Sequence, residues 1–255
     1  MMSMELFNII CYVWLGTAVI IHVIMFFVTA PFGRHTTTKW GPSVNNKLAW
    51  IIMELPSLGI MTYFLLQGTN SFTSYAWVLF GLWIFHYANR TLVYPFRIRP
   101  TAKKMPLVIM LNGILFNLMN AGLNGYFLAE LSTSGQYNES WLLAPTTIIG
   151  GMLFLAGLTI NWRADHILIN LRKPGEEGYR IPGGFLFDYI SSPNLFGEIL
   201  EWAGFAIMAW NLPALTFAVW TYANLVPRAK NHHDWYHQRF EDYPKSRKIV
   251  FPYIF

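Results

Sequence analysis

The sequence predicts an all-α membrane protein with seven transmembrane helices, its N-terminus outside and its C-terminus in the cytosol. Hydrophobic residues make up 54% of the 255-residue chain and charged residues only 12%, whereas typical soluble domains carry about 25% charged residues. Aromatic residues make up 17%, which suits the belts that anchor membrane helices at both interfaces. The third observation is the placement of the basic residues, which alternates along the chain.

Seven apolar segments approach the roughly 20 residues that a helix needs to cross a bilayer. They are Leu6–Thr29, Leu48–Leu66, Tyr75–Tyr94, Leu107–Glu130, Leu142–Trp162, Leu195–Trp210 and Leu212–Val226. The last two are short, but together they are too long for one crossing, and a tight turn at Pro213 separates them. No linker or internal repeat divides the chain, so residues 1–255 are predicted to form a single domain.

The eighteen Lys and Arg residues fall in or beside alternate loops and in the C-terminal tail. They occupy residues 34–47, 90–104, 163–180 and 228–248, whereas the loops near residues 68, 134 and 211 contain none. Positive charge marks the cytosolic loops of membrane proteins. The alternation of basic and non-basic loops fits seven spans, and it would not hold for six or eight.

The tail after Pro227 is aromatic and basic and is predicted to form a short cytosolic helix that ends at Pro244. Arg228, His232 and Tyr236 recur every four residues in it. Residues four apart lie on one face of a helix, so these three side chains are expected to point the same way.

Several functional classes lack their sequence signals. Cys11 is the only cysteine, which excludes an internal disulfide and a cysteine-based metal site. Neither G-x-G-x-x-G nor a P-loop occurs, and no G-x-S-x-G elbow supports a serine hydrolase. His233 and His237 are four residues apart, but the remaining histidines other than His232 are scattered, so no metal site is predicted. No basic run with an interleaved stacking surface indicates nucleic acid.

An acid and a phenol lie inside predicted spans. Glu54 is deep in the second span, where an ionised group costs roughly 2.5–3.5 kcal/mol and is functional by default. A structural acid paired with a neighbouring helix is the alternative. In the third span, polar side chains recur at i, i+3, i+4 and i+7, namely Tyr87, Arg90, Thr91 and Tyr94. Tyr87 is a candidate hydrogen-bond donor oriented by Glu54, whereas Tyr94 is equally typical of an interfacial anchor.

Further polar residues cluster toward the cytosolic ends of the later spans. Asn161 and Asp165 are four residues apart in the fifth predicted span. In the sixth, Glu198 comes four residues after Asn194, and Glu201 comes three residues after Glu198. Together with the basic and aromatic residues nearby they form a mixed set of donors and acceptors. Such a set suits a nucleotide, because cations bind phosphates and carboxylates and amides bind ribose and base. The additional members are Arg172, Arg180, Arg228, His232 and Tyr236.

Two long runs, LRKPGEEGYRIPGGFLFDYISSPNLFGEILEW and FEDYPKSRK, resemble the steroid 5α-reductase family, the 3-oxo-5α-steroid 4-dehydrogenases. GRHT in the first loop, ELPS at Glu54 and HYANRTLVY around Tyr87 extend the resemblance over most of the chain. It is strongest from Asn161 onward and weak over the first span. The resemblance implies a seven-helix membrane enzyme that moves hydride from NADPH onto the C4–C5 double bond of a 3-oxo-Δ4 steroid.

The resemblance also implies residue roles. Glu54 and Tyr87 resemble the pair that holds and polarises the C3 carbonyl of the substrate. Most of the NADPH site is expected within residues 107–255, and the positions that resemble it are Asn161, Asp165, Arg172, Tyr179, Arg180, Asn194, Glu198, Glu201, Arg228, His232 and Tyr236. The residues expected to line the steroid pocket are Trp50, Met53, Arg90, Tyr94, Asn112 and Phe116. Met53 and Asn112 depart from animal members, which have Gln and Arg there, so they are expected to affect substrate choice.

Three other functions stay open on the sequence. They are a membrane reductase acting on another sterol or on an enoyl thioester, a methyltransferase of the isoprenylcysteine type that binds S-adenosylmethionine, and a transporter or receptor. The reductase is expected to act as a monomer, without metal, in the endoplasmic reticulum of a eukaryote or the inner membrane of a bacterium.

Overall fold

The computed structural model describes residues 2–68, 72–99, 103–132, 136–173, 176 and 178–255, and its regular structure is almost entirely helical. This confirms the predicted helical class. The α-helices are α1 Met4–Phe27, α2 Asn46–Gln67, α3 Ser74–Ala88, α4 Tyr94–Arg97, α5 Leu107–Tyr126, α6 Pro145–Asn170, α7 Pro193–Ala209 and α8 Leu212–Arg239. Turns of π-helix at Asn89–Val93 and Phe127–Leu131 follow α3 and α5, so Ser74 to Arg97 is one continuous helical stretch.

Within the described residues, four helices are long and apolar enough to cross a membrane, and the chain is therefore a membrane protein. They are Met4–Phe27, Asn46–Gln67, Leu107–Leu131 and Pro145–Asn170, which match four of the predicted spans. The other three predicted spans fall on α3, α7 and the first half of α8. α3 has 15 residues and α7 has 17, whereas α8 is long but polar in its second half.

The tail after Pro227 is helical as predicted, but it does not form a separate helix and does not extend to Pro244, because α8 continues through Pro227 and ends at Arg239. A proline inside a helix has no N–H for the carbonyl four residues earlier, which here belongs to Ala223. His22 of α1 donates its Nδ1–H to that carbonyl across 3.0 Å. The first helix therefore satisfies the acceptor that the proline leaves free, and α8 stays continuous.

A two-stranded ribbon is the exception to the all-α prediction. β1, Ser43–Val44, pairs antiparallel with β2, Met105–Pro106, and the N–H of Leu107 donates to the carbonyl of Pro42 across 2.8 Å. The ribbon ties the first loop to the start of α5.

Glycines let α6 and α7 touch backbone to backbone. A Cβ on Gly157 would lie 2.3 Å from the N of Glu201, and a Cβ on Gly197 would lie 2.5 Å from the N of Asn161. Small residues are the usual means by which membrane helices approach so closely. This contact fixes the helix turns that carry the polar residues of α6 and α7.

A buried aromatic cluster supports the inner face of α3. Trp83 is fully buried, and its ring centroid lies 5.1 Å from that of Trp202 and 4.9 Å from that of Phe217. It also stacks on Tyr87, with centroids 5.3 Å apart and planes 29° apart. The cluster therefore fixes the position of the Tyr87 ring.

Candidate active site in a cavity between the helices

A cavity of about 500 Å³ opens among α1, α2, α3, α5, α7 and α8, within the roughly 300–1,000 Å³ typical of small-molecule sites. Its lining is mostly apolar. Of the residues predicted for the steroid pocket, those that line it are Trp50, Met53, Arg90, Asn112 and Phe116. Tyr94 lies behind the wall, with its ring 5.1 Å from that of Trp50.

Glu54 and Tyr87 both line this cavity, and the side chain of Asn117 joins them. The amide nitrogen of Asn117 donates to Oε2 of Glu54 across 3.3 Å and to the carbonyl of Met53 across 2.7 Å. Its amide oxygen accepts from the hydroxyl of Tyr87 across 3.5 Å and from that of Ser57 across 2.8 Å. The amide of Asn117 therefore uses all four of its hydrogen-bonding positions.

Arg90 links the acid of α2 to the acid of α6. Its guanidinium lies 3.6 Å from Oε1 of Glu54 and 4.0 Å from Oδ2 of Asp165. The guanidinium carbon also lies over the rings of Trp50 and Tyr94, 4.4 Å and 4.9 Å from their centroids. Arg90 is in the π-helical turn at Asn89–Val93, and such turns are frequent at functional sites.

Glu201 pairs with His86, which the sequence did not single out as its partner. The Nδ1 of His86 lies 2.7 Å from Oε1 of Glu201, and Glu201 is fully buried. The imidazole of His86 lines the cavity and contacts the ring of Tyr87 edge-on at 5.0 Å. Glu201 itself, although predicted among the nucleotide residues, lies behind this histidine.

Three predicted nucleotide residues form a chain of contacts on α6 and α7. Asn161 donates to the backbone carbonyl of Asn194 across 3.0 Å, and the side chain of Asn194 donates to Oδ1 of Asp165 across 3.1 Å. Since Asp165 also approaches Arg90, this row of hydrogen-bonded residues adjoins the polar wall of the cavity. Glu198, the next predicted nucleotide residue of α7, lines the cavity itself.

The predicted residues of α8 face the first loop. Arg228 lines the cavity and lies over the ring of Phe32, 5.4 Å from its centroid. His232 stacks on His35, with centroids 5.6 Å apart and planes 10° apart. Burial, and then the positive charges of Arg34, Arg228 and Lys103, lower the pKa of His35 to about 4.

The predicted residues of the loop after α6 form a separate group farther out. Arg172 donates to the carbonyl of Gly178 across 2.7 Å, and Arg180 pairs with Glu176 across 2.8 Å. The ring of Tyr179 contacts that of Trp235 on α8 at 4.8 Å. Pro174, Gly175 and Glu177, within the same loop, lie outside the described residues.

The chain matches the family model "3-oxo-5-alpha-steroid 4-dehydrogenase" over residues 103–255, more than half of its length. It is 39% identical to the 3-oxo-5-alpha-steroid 4-dehydrogenase 1 of Bos taurus, in an alignment that covers 98% of this chain and 97% of the bovine protein. It belongs to the 3-oxo-5-alpha-steroid 4-dehydrogenase family.

Relatives from other kingdoms and species agree with this assignment. The chain is 40% identical to "Steroid 5-alpha-reductase DET2" of Solanum lycopersicum over 98% of both proteins. It is 40% identical to the 3-oxo-5-alpha-steroid 4-dehydrogenase 1 of Homo sapiens, over 88% of this chain and 86% of the human protein. The family is one of oxidoreductases, and the resemblance identified from the sequence is confirmed.

The donors around Arg228 fit the dinucleotide that an oxidoreductase of this family is expected to use. Arg34, His35 and Thr36 each have a buried side-chain polar atom without a hydrogen-bond partner, namely Nη1, Nε2 and Oγ1. Unpaired cationic and polar donors of this kind suit a phosphate group. Within the described residues, no three His, Cys, Asp or Glu side chains are grouped closely enough to hold a metal ion.

Sequence reasoning missed Asn117, Arg34 and His35 as site residues. A signal for Asn117 existed, because Asn117, Asn120 and Asn124 recur at three and four residues and therefore share one face of α5. For Arg34 and His35 the GRHT run carried the resemblance, but the sequence did not indicate that this loop contacts α8.

Proposed function

We propose that this protein reduces the C4–C5 double bond of 3-oxo-Δ4 steroids to 5α-steroids with NADPH. The observation that carries the proposal is the convergence of Glu54, Tyr87 and Asn117 on one wall of a mostly apolar cavity. Such a cavity holds a hydrocarbon skeleton, and the polar wall supplies the few directed contacts that orient its ketone.

The chemistry requires a hydrogen-bond donor at the ketone. Reduction of a conjugated enone builds negative charge on the C3 oxygen, and a donor aimed at this oxygen stabilises the transition state. Tyr87 is this donor, and Glu54 orients it through Asn117. Arg90 on one carboxylate oxygen and Asn117 on the other keep Glu54 in place.

The cofactor, when bound, supplies the hydride. We assign its phosphates to the cationic side chains Arg228, Arg172 and Arg180, with His232 and Tyr236 beside Arg228 on α8. Its sugars and base are assigned to the amides and carboxylates of α6 and α7, namely Asn161, Asp165, Asn194, Glu198 and Glu201, and to Tyr179. All of these residues lie within residues 107–255 of the single domain, and Glu201 acts through His86.

The steroid enters from the lipid and the nucleotide from the cytosol. Trp50, Met53, Asn112 and Phe116 line the cavity and form the steroid pocket, with Arg90 at its polar wall and Tyr94 behind it. We infer that Met53 and Asn112 adjust which steroid fits, because both residues line the cavity.

For the whole chain we propose seven spans, with the N-terminus outside and the C-terminus cytosolic. The distribution of all eighteen basic residues supports this orientation, and α3, α7 and the first half of α8 supply the three spans beyond the four long apolar helices. The protein acts as a monomer, in the endoplasmic reticulum of a eukaryote or the inner membrane of a bacterium.

The test is product formation by membranes from cells that express the protein. Membranes are incubated with NADPH and with testosterone or progesterone, and 5α-reduced products are identified by mass spectrometry against standards. Membranes with Tyr87→Phe are the matched control. If no 3-oxo-Δ4 steroid in a wider panel is reduced, the proposed substrate class is wrong. Reduction of only a different sterol or an enoyl thioester would assign the chain to another membrane reductase.

A further inference from the structure

The chain after α8, residues 240–255, turns back and runs along that helix; we call it the return segment. The ring of Tyr243 stacks on that of Tyr236, with centroids 5.1 Å apart and planes 2° apart. Farther on, the ring of Phe251 stacks on that of Tyr222, at 6.2 Å and 23°. Tyr222 and Tyr236 are separated by about 21 Å along α8, at 1.5 Å per residue. The return segment therefore leads from the cytosolic end of α8 back toward the half of the helix that we place in the bilayer.

The return segment ends its course against the last two spans. Val250 is fully buried and packs in one cluster with Leu195 of α7 and Val226 of α8. The ring of Phe251 also contacts that of Phe196 on α7 edge-on, with centroids 6.0 Å apart. The sixth predicted span begins at Leu195 and the seventh ends at Val226, so these contacts lie at the level where both spans leave the bilayer.

The last residues of the return segment form an ordered turn with an apolar outer surface. The N–H groups of Val250 and Phe251 both donate to the main-chain oxygen of Phe255, across 2.8 Å and 2.6 Å. Tyr253 has a φ of 66°, in the left-handed region that residues with side chains rarely adopt. The side chains of Tyr253 and Ile254 are nevertheless 78% and 82% exposed. The turn is thus held by its backbone while its apolar side chains point away from the protein.

A fourth exposed ring extends this surface. Tyr189, just before α7, is exposed, and its ring centroid lies 5.7 Å from that of Tyr253. We call Tyr189, Tyr253, Ile254 and Phe255 the apolar patch. A contiguous exposed patch of this kind marks an interaction site.

The charges beside the apolar patch indicate what it contacts. Lys245 and Lys248 are exposed, and no acidic residue occurs from Tyr243 to Phe255. Aromatic and apolar side chains flanked by cations suit the cytosolic interface of a bilayer, where rings lie at the headgroup level and anionic lipids attract basic segments. The lipid surface is also continuous with the two spans against which Phe251 packs.

We propose that the apolar patch inserts into the cytosolic interface of the bilayer. The proposal goes beyond the proposed function and rests on the placement of α8 in the membrane. Insertion would also fix the chain before α7, because the N–H of Lys248 donates to the carbonyl of Tyr189 across 2.8 Å and the N–H of Ser191 donates to the carbonyl of Lys248 across 2.9 Å.

The experiment measures the depth of the apolar patch by fluorescence quenching. Full-length Ile254→Cys is labelled with a nitrobenzoxadiazole dye and placed in phosphatidylcholine–phosphatidylserine nanodiscs, with or without lipids that carry a nitroxide on the acyl chain. Cys11, the only native cysteine, is buried, and the unsubstituted protein gives the background labelling. We expect at least about twofold quenching by the nitroxide lipids, because an interfacial apolar face lies about 5–10 Å into the headgroup and acyl boundary.

Two labelled positions serve as controls. Glu241→Cys, exposed just beyond α8, should be quenched little, because the end of α8 at Arg239 is about 25 Å along the helix from Tyr222. Leu215→Cys, exposed on the first half of α8, should be quenched at least as strongly as Ile254→Cys. Adding Tyr253→Ser and Phe255→Ser to the labelled Ile254→Cys protein should remove most of its quenching.

The outcomes separate the patch from the span. If the label at Leu215 is quenched but the label at Ile254 is quenched no more than the one at Glu241, only the apolar patch is wrong. Quenching that persists without the two aromatic rings also overturns the proposal, because the dye then inserts unaided.

Blue-shifted emission at Ile254 that the nitroxide lipids do not quench would assign the patch to a protein partner, such as a second copy of this chain, and would likewise overturn the proposal. If the label at Leu215 is not quenched, the placement of α8 in the bilayer and the membrane contact of the patch fall together. None of these measurements depends on steroid reduction, so the proposed function is tested separately.

Discussion

The hydroxyl of Tyr87 donates to the amide oxygen of Asn117 across 3.5 Å, the upper limit of a hydrogen bond. Asn117 is held far more firmly on its other sides, by Ser57 at 2.8 Å and by the carbonyl of Met53 at 2.7 Å. The phenol is therefore the loosest member of the network and is free to turn its proton toward a ketone in the cavity, as catalytic groups do when substrate tightens the site.

Removing that proton should slow the chemical step. We expect Tyr87→Phe to lower kcat by about 10²–10³, the usual cost of losing one donor to a developing oxyanion. The dissociation constant of NADPH and the thermal midpoint should change little, because the ring still stacks on Trp83. Steady-state kinetics on detergent-solubilised protein measure the effect, and a kcat within about threefold of the unsubstituted enzyme would remove Tyr87 from the mechanism.

Asn117 is expected to be a positioning residue. Asn117→Ala should lower kcat by about tenfold, because the oriented contacts to Tyr87 and Glu54 are lost, with a smaller change in the steroid KM. Asn124→Ala is the matched control, since Asn124 is a buried amide on the same helix that donates only to backbone carbonyls. Equal losses of kcat in the two variants would indicate general destabilisation of α5 instead.

The sequence predicted what depends on local pattern and missed what depends on contact between distant segments. The ends of α1 and α2 were predicted to within about two residues because apolar runs bounded by polar residues are local signals. The continuity of α8 through Pro227 depends on His22, which is 201 positions from the carbonyl it satisfies. The ribbon of two-residue strands has no periodicity from which it could be predicted.

In the candidate active site, too, the residues marked by a local pattern were predicted and those that depend on contacts between distant segments were not. Glu54 and Tyr87 were identifiable because an acid in an apolar span is costly and because polar residues repeated at helical spacing beside it. The partners of Arg34 on α8 were not, since a loop carries no pattern that fixes which helix it contacts. Glu201 was assigned to the nucleotide from its spacing with Glu198, but its pairing with His86 on α3 is a tertiary contact.

His35 of the first loop and His232 of α8, which stack on each other, should make the nucleotide-free protein acid-sensitive. The pKa of His35 is about 4 in the folded chain against 6.5 for the free side chain, so between these values the unfolded chain binds more protons and stability falls as the pH falls. His232 shifts in the same direction. Thermal midpoints measured from about pH 7 to pH 5 should fall less steeply in His35→Asn. The exposed His237 supplies the control, and an equal change of slope in His237→Asn would refute the assignment.

The contact between α6 and α7 leaves no room for a methyl group. We expect Gly157→Ala to destabilise the protein by at least about 1–3 kcal/mol. The new Cβ would lie 2.3 Å from the backbone N of Glu201, and a backbone atom, unlike a side chain, cannot relieve the clash by changing rotamer. Gly151→Ala on the same helix is the control, since its Cβ would meet only Met208 Sδ at 3.9 Å. Thermal unfolding in detergent compares the two variants. Similar midpoints would mean that α6 and α7 can move apart to accommodate the methyl group without loss of stability.

Met53 lies against Gly113, and this pair offers a way to narrow the cavity without touching Glu54 or Tyr87. A Cβ on Gly113 would lie 2.3 Å from both Cγ and Sδ of Met53. Methionine is flexible, so in Gly113→Ala the fold should survive while the Met53 side chain moves into the cavity that it lines. We expect the steroid KM to rise by about threefold to tenfold, the cost of modest overpacking, with the dissociation constant of NADPH unchanged.

Gly122→Ala, whose Cβ would meet no atom within 4 Å, should leave the KM unchanged. Because truncating Met53 removes the displaced atoms, Gly113→Ala/Met53→Ala should recover most of the affinity lost in Gly113→Ala. A double variant as impaired as Gly113→Ala alone would mean that the substituted glycine acts through α5 itself and not through the shape of the steroid pocket.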